Sequence, residues 1–320
     1  MSASLSLRRY SQYFAEYGLL AALVVMIGVF TAANSRFLTL ANIGTLLEQE
    51  SPVLIVAVGM TFAIISRNID LAPASIIALS GVVLAFVNQW TGSFFLGVIA
   101  GFAVTIAVEV FNGLLIVRGG INPLIVTLAC WIWARGLAVS FTGGNSIVVQ
   151  NNVLTFLTAP LLGNFSPAIL VAVLAFVIGA FILNRTRLGR YSFALGSDER
   201  ATLQAGVPIG KYKLMLFAFF GVLVGVAMLI TVSRLGAAAP AAAYGLELDA
   251  IVAVIIGGNP FQGGEGNMRR TLVGALFIAV LNNGLGNLGM LDAQIAVYKG
   301  VAIILALLFS AFSQRLTRSK

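Results

Sequence analysis

SPAILVAVLAFVIGAFILN (166–184), RTRLGRYSFALGSDERATLQAGVPIGKYK (185–213) and LMLFAFFGVLVGVAMLITV (214–232) follow one another without a break. Two apolar runs flank the one substantial hydrophilic island in an oily chain. The island carries six of the 19 Lys and Arg residues. Within it GSDERATLQAG (Gly196–Gly206) reads as a short helix: Ser197 or Asp198 caps its start and Gly206 suits its end. A helix of about eight residues is not stable alone in water, so it must dock on this chain or on another. A short polar helix held between membrane spans is something a motor protein can grip.

Working outward, hydrophobic residues make up 59% of the chain and charged residues 9%, against about 25% charged in a soluble domain. Apolar runs long enough for a hydrocarbon core of about 30 Å recur at 17–34, 46–66, 73–90, 93–117, 122–142, 166–184, 211–232, 246–258, 271–288 and 293–312. The eighth is short and ends at Gly257–Gly258. Helices satisfy their own backbone hydrogen bonds in lipid, and the alternation of barrel strands is absent. The expectation is an all-α polytopic membrane protein of about ten transmembrane helices. It forms a single membrane domain over 1–320, interrupted by the segment 185–213. Eight spans result if 46–66 and 73–90 form a re-entrant pair.

The net charge of +8 does not point to nucleic acid. Basic residues gather at Arg8 and Arg9, in the island, and at Arg315, Arg318 and Lys320, as expected for segments held on the cytoplasmic face. Six spans before the island and four after it return both termini to that face. The first apolar run is read as a retained span rather than a signal peptide. The single Cys130 excludes a disulfide framework or zinc cluster.

Glycines at small-xxx-small spacing, Gly97/Gly101 and Gly221/Gly225, suit close helix contact in lipid. The glycine-rich loop GGNPFQGGEGN (257–267) and GVPIGKY (206–212) both lack a P-loop ending, so ATP hydrolysis is not expected in this chain. VFNGLLIV (110–117) and VLNNGLGNL (280–288) each set Asn-Gly inside an apolar run. Under the ten-span count these runs are oppositely directed, as in an inverted repeat.

No His exists, so Ser-His, zinc-His and His-relay chemistry are excluded, and neither catalytic nor metal-ligating residues are assigned. Of the 11 acids only Glu109 lies well inside a predicted span, where it reads as a proton site or as a satisfied structural carboxyl. Asn112, Asn282, Asn283 and Asn287 are amides in apolar runs, and Thr127 and Trp131 lie one turn apart on the fifth. Amides pair with hydroxyls and a ring stacks on C–H faces, which suits a polyhydroxylated neutral solute. Interhelical hydrogen bonding is the competing reading. Arg67, beside Asn68 and Asp70, reads as an anion ligand or as a positive-inside residue.

Several motifs together resemble the permease subunits of ribose-type ABC sugar importers, over almost the whole chain. They are LTLANIGTLLEQESPVLIVAVGMTFAIIS (38–66), NIDLAPASIIALSGVV (68–83), NPLIVTLACWIWARGLA (122–138), TRLGRYSFALGSDERATLQAGV (186–207) and the closing block 245–289. The chain departs from the family at Arg67–Asn68, Ala72–Pro73–Ala74, Ser197–Asp198 and Arg270. The resemblance implies a ten-span fold in the bacterial cytoplasmic (inner) membrane with both termini cytoplasmic. It implies a second permease copy or homologue, a cytoplasmic ABC ATPase that binds ATP and Mg, and an extracytoplasmic sugar-binding protein. This chain itself would bind no cofactor. It also makes Gly196–Gly206 the coupling helix, with Gly196, Ser197, Asp198, Glu199, Arg200, Ala201, Leu203 and Gly206 facing the ATPase. The alternatives are an ion-coupled secondary transporter and an ABC permease for a branched-chain amino acid or nucleoside.

Overall fold

In the computed structural model, residues 2–161, 163–291, 293–302 and 304 are described. The later part of the tenth run, 303 and 305–312, and the basic cluster at Arg315, Arg318 and Lys320 lie outside them. Twelve helices are bounded as α1 (Ser2–Ala33), α2 (Leu40–Ile65), α3 (Pro73–Thr91), α4 (Phe94–Gly119), α5 (Pro123–Thr142), α6 (Asn152–Thr158), α7 (Pro167–Arg185), α8 (Arg187–Ser197), α9 (Glu199–Gln204), α10 (Ile209–Leu235), α11 (Leu246–Ile256) and α12 (Met268–Asn287). Residues 293–302 are also helical. Two-residue strands β1 (Ile147–Val148) and β2 (Ala237–Ala238) pair antiparallel with Ile147 opposite Ala238. Among the described residues six helices, α2, α3, α4, α5, α7 and α10, are long and apolar enough to cross a membrane. The protein is an all-α polytopic membrane protein.

Local chemistry sets the helix boundaries. The side chain of Asn122 accepts from the Leu124 amide at 2.9 Å and Pro123 follows at the first helical position of α5. Asn267 caps α12 in the same way, accepting from Arg269 N at 2.8 Å. α3, α4, α5 and α10 each end on a left-handed glycine, the residue that takes positive φ without a Cβ penalty.

α2 is the central post. α7, α8, α10, α11 and α12 pack around it, and most of its length is buried. Its buried Ser51 and Thr61 hydroxyls donate to the carbonyls four residues back, both at 2.7 Å, so neither is left unsatisfied in the core. Thr61 also meets Thr271 of α12, oxygen to oxygen at 2.7 Å. Both small-residue pairs lie at helix crossings. A Cβ on Gly97 would stand 2.7 Å from the Leu84 carbonyl of α3, and one on Gly221 would stand 2.8 Å from Cα of Ile106 on α4. Their spacing serves packing.

The hydrophilic island differs from its sequence reading. It forms two helices, and Asp198 is the elbow between them. Asp198 accepts from Arg200 N at 2.9 Å and Ala201 N at 3.0 Å, capping α9. Gly196 and Ser197 close α8 instead of opening the coupling helix. The cause is the amphipathic run Arg187–Leu195, whose Ser192 and Leu195 are buried under an otherwise polar surface. The seven-residue α6 was also not foreseen, because it lies on the surface and is too short for a periodic signal.

Candidate functional site

At the end of the bundle where α2 finishes and α3 begins, three segments meet. The turn 66–72 leaves α2, the elbow 196–198 joins α8 to α9, and the loop 257–267 joins α11 to α12. The Gly264 amide donates to Ile65 O at 2.8 Å. Arg67 Nε donates to Gln262 O, and Arg67 itself has φ of 59°, a left-handed conformation rare for a side chain of this size. The guanidinium of Arg67 thus ties the α2–α3 turn to the loop 257–267. Gly196 lies against both neighbours: a Cβ there would stand 1.7 Å from Ile65 O and 2.4 Å from Gly264 N.

α9 projects from this platform. Ser197, Asp198, Glu199, Arg200, Ala201 and Gly206 are exposed, and Leu203 is 62% exposed on a short polar helix. Thr202 points inward, its hydroxyl donating to Ala194 O at 3.0 Å. Lys213 Nζ reaches Glu199 Oε1 at 2.7 Å across to the start of α10. Gly206 has φ of 78° and turns the chain back into α10. Seven of the eight residues expected at the coupling surface are therefore displayed, and the eighth, Gly196, is the anchor beneath them.

The six polar residues expected along a solute path fall into five neighbourhoods. Asn112 on α4 is buried, with neither amide atom bonded. It lies beside Cys130 of α5, and one turn before it Glu109 lies near the carboxyl of Asp70 from the α2–α3 turn, with both Glu109 oxygens unpartnered. Thr127 is fully buried, and its hydroxyl donates to Pro123 O at 3.0 Å. Trp131 Nε1 donates to Glu247 Oε1 of α11 at 3.0 Å. Asn282 Nδ2 donates to Glu50 Oε1 of α2 at 3.1 Å and lies 3.5 Å from Asp249 Oδ2 of α11. Asn283 and Asn287 bind each other at 2.9 Å, and both meet Asn42 at the start of α2.

Sequence reasoning missed most of the charged groups here. Glu109 is not alone: Glu50, Asp70 and Glu247 are buried too. Asp249 is held by Lys299 Nζ, 2.8 Å from each carboxylate oxygen. Arg135 of α5 donates through Nη1 to the carbonyls of Pro240 at 2.6 Å and Ala242 at 2.9 Å. Glu50, Glu247 and Asp249 all lie within a few residues of the start of an apolar run, where a carboxylate reads as interfacial. A signal was nevertheless present, because GLELDAIVAVII places two acids at the head of a run too short to span.

The arrangement thus has an exposed short helix anchored at one end and, through the bundle, a belt of buried polar groups, several of whose atoms have no partner. Comparison with known proteins agrees with a transport role. The chain is 35% identical over 308 residues to "Ribose import permease protein RbsC" of Escherichia coli (strain K12), covering 94% of this chain and 96% of that one. It is 37% identical over 289 residues to the protein of the same name from Bacillus subtilis (strain 168), 89% of each chain. Over 305 residues it is 31% identical to "D-allose transport system permease protein AlsC" of E. coli (strain K12), covering 94% and 92%. A family model described as "Branched-chain amino acid transport system / permease component" matches residues 42–311, so this chain belongs to that permease family.

Proposed function

We propose that the chain is the membrane-spanning permease of an ATP-binding-cassette importer and that its cargo is a sugar or sugar derivative. The observation that carries the reading is the anchored elbow. α9 is displayed to solvent while Gly196 sits backbone to backbone on α2 and the loop 257–267. A push on α9 therefore reaches the central helix through contacts that have no flexible side chain between them. Closure of a partner ATPase on this helix would switch the bundle between outward and inward openings. ATP and Mg belong to that partner, and this chain is assigned no cofactor of its own.

The resemblance and the relatives' names support an assembly of two permeases, two cytoplasmic ATPases and an extracytoplasmic sugar-binding protein in the bacterial inner membrane. They support ten spans in one domain over 1–320 and cytoplasmic termini. An inverted repeat fits two further details. α4 packs on α10 as α12 packs on α2, and the glycine of each Asn-Gly pair receives a Phe ring: Gly113 that of Phe217, Gly284 that of Phe30. Asn112, Thr127, Trp131, Asn282, Asn283 and Asn287 remain the proposed path residues. Asn112 and Asn282 are favoured because each keeps an unbonded amide atom.

The family description favours a second reading, a branched-chain amino acid as cargo. The test is to purify the complex with its ATPase and binding protein and to measure ATP-dependent uptake into proteoliposomes. Uptake of D-ribose or another monosaccharide supports the proposal. Uptake of L-leucine with no sugar uptake replaces it with the second reading, and uptake that needs an ion gradient and no ATPase refutes both.

A further inference from the structure

Beside the platform that carries α9, a hollow of about 440 Å³ opens between the turn 66–72, the start of α5 and the loop 257–267. That volume suits a small solute. Arg67, Asn122, Phe261 and Gln262 line it together with Ile69 and Leu124. The first four are exposed residues, so the wall is made of accessible groups.

Of the lining residues only Arg67 is charged. Its φ of 59° is a conformation that glycine holds without strain and a long side chain does not. A side chain kept at such a position is a mark of use. Part of that use is the bond from Nε to Gln262 O. Among the described residues neither Nη atom has a hydrogen-bond partner, and no acid pairs with the guanidinium. A guanidinium with a free edge grips an anion through two parallel N–H donors. α5 begins here as well, and a helix start carries partial positive charge. Asn122 spends its Oδ1 on the Leu124 amide and keeps its Nδ2 to donate, and Gln262 uses only its backbone carbonyl on Arg67. The Phe261 ring is 50% exposed. Side-chain amides pair with hydroxyls, and a ring covers C–H faces. A positive edge, amides and a ring together fit an anionic monosaccharide. A neutral sugar leaves the guanidinium unused.

We infer that this hollow binds an anionic monosaccharide derivative, a sugar phosphate or a sugar acid, from the cytoplasm and that its occupancy restrains transport. The inference rests on the proposed function, which puts this end of the bundle in the cytoplasm. Phosphoryl transfer to an imported sugar, or its oxidation to an acid, makes such a ligand, so the site reads a product of the cargo. The loop carries the signal onward. A Cβ on Gly263 would stand 2.7 Å from Cγ of Arg67, and one on Gly264 would stand 2.9 Å from Oγ of Ser197 at the elbow. A ligand that favours one arrangement of turn and loop opposes the switch to another.

The test has two readouts on the complete complex. The first is thermal unfolding with D-ribose 5-phosphate, D-glucuronate, inorganic phosphate or D-ribose as probe. The second is D-ribose uptake by proteoliposomes that enclose ATP with or without D-ribose 5-phosphate. The melting temperature should climb with D-ribose 5-phosphate or D-glucuronate, less with inorganic phosphate and not with D-ribose. The steeper of the first two climbs identifies the anion. Enclosed sugar phosphate should reduce uptake several-fold. Phe261→Ala and Gln262→Ala, which both leave the Gln262 carbonyl in place, should each weaken binding about tenfold, and Arg67→Gln should abolish it. No response in the wild type, an equal response to inorganic phosphate, or variants that respond as the wild type does would each overturn the site. The same holds if the isolated permease responds and the complex does not, since the ATPase then covers the hollow. Stabilisation without any loss of uptake overturns the restraint. Should Arg67→Gln not assemble, Phe261→Ala and Gln262→Ala decide. If the wild-type complex moves no sugar, the proposed function has failed, and the melting curves still decide the site.

Discussion

Gly196 on α8 and the carbonyl oxygen of Ile65 at the end of α2 leave no room for a methyl group between them: a Cβ at 196 would stand 1.7 Å from that oxygen. The obstacle is backbone, which cannot rotate aside as a side chain can. Gly196→Ala should therefore lift α8 from α2, costing about 1–3 kcal/mol as overpacking does. Uptake should fall at least tenfold. A variant with normal uptake and an unchanged melting temperature would show that the elbow has slack and would defeat direct transmission.

Ala201 and Leu203 lie on the displayed face of α9 and make no internal hydrogen bond beyond the helix. Ala201→Arg and Leu203→Asp should leave the isolated permease within about 0.5 kcal/mol of wild type, as exposed substitutions do. Both should abolish ATP-driven uptake, because a charge in a docked apolar contact is not buried cheaply. Thermal unfolding of the permease and uptake by the complex are the paired measurements.

The sidedness of the two ends can be read with cysteine chemistry, since the only native thiol, Cys130, is buried. Leu203→Cys should resist an impermeant thiol reagent on intact cells and react in inverted vesicles, whereas Tyr244→Cys should do the reverse. Ser192 is an uninformative choice, because its side chain is buried on α8 and would be silent from either side. Labelling of Leu203→Cys from outside would invert the topology.

Asn112 and Asn283 separate in a way the Asn-Gly match did not foretell. Asn283 belongs to an amide cluster with Asn42 and Asn287, so Asn283→Leu should cost about 0.6–2 kcal/mol of stability, the range for interhelical hydrogen bonds in membranes. Asn112 has no partner to lose. Asn112→Leu should be neutral or stabilising and yet reduce uptake per folded complex several-fold. Undiminished uptake in folded Asn112→Leu removes it from the path.

Glu109 and Asp70 are neighbouring carboxyls at a fully buried site, where Asp70 Oδ1 accepts from Ala72 N at 2.7 Å while both Glu109 oxygens and Asp70 Oδ2 have no partner. Glu109→Gln keeps the side-chain shape and should preserve folding. Glu109→Leu removes two unpartnered buried oxygens and should be neutral or stabilising. A clearly lower melting temperature for Glu109→Leu than for Glu109→Gln would mean that the carboxyl does hold Asp70.

The membrane class and the run boundaries were legible because apolar length and glycine punctuation are local signals. α11 ends at Gly257, where the sequence shows the interruption. The island's charge marked an exposed helical segment, but its division at Asp198 was hidden, since Ser197 and Asp198 both qualify as caps and only the docking of Leu195 and Gly196 decides between them. The polar belt was the least legible part. Trp131 and Glu247 are 116 residues apart, and Asn282 and Glu50 are 232 apart. No periodicity connects such positions; the helix crossings do.

The brevity of α11 has a consequence for how the chain is made. Eleven residues rise only about 16 Å, roughly half of a hydrocarbon core, and the bends before it leave carbonyls at Pro240 and Ala242 that Arg135 must satisfy. Such a segment has neither the length to enter lipid by itself nor a closed set of backbone bonds when it arrives. Its partners on α2, α3 and α5 are synthesised earlier, whereas α12, where a Cβ on Gly274 would stand 1.9 Å from Ala253 O, and Lys299, which holds Asp249, are synthesised later. α11 is thus closed in only when the last part of the chain arrives, and neighbours made before and after it supply what its own hydrophobicity does not.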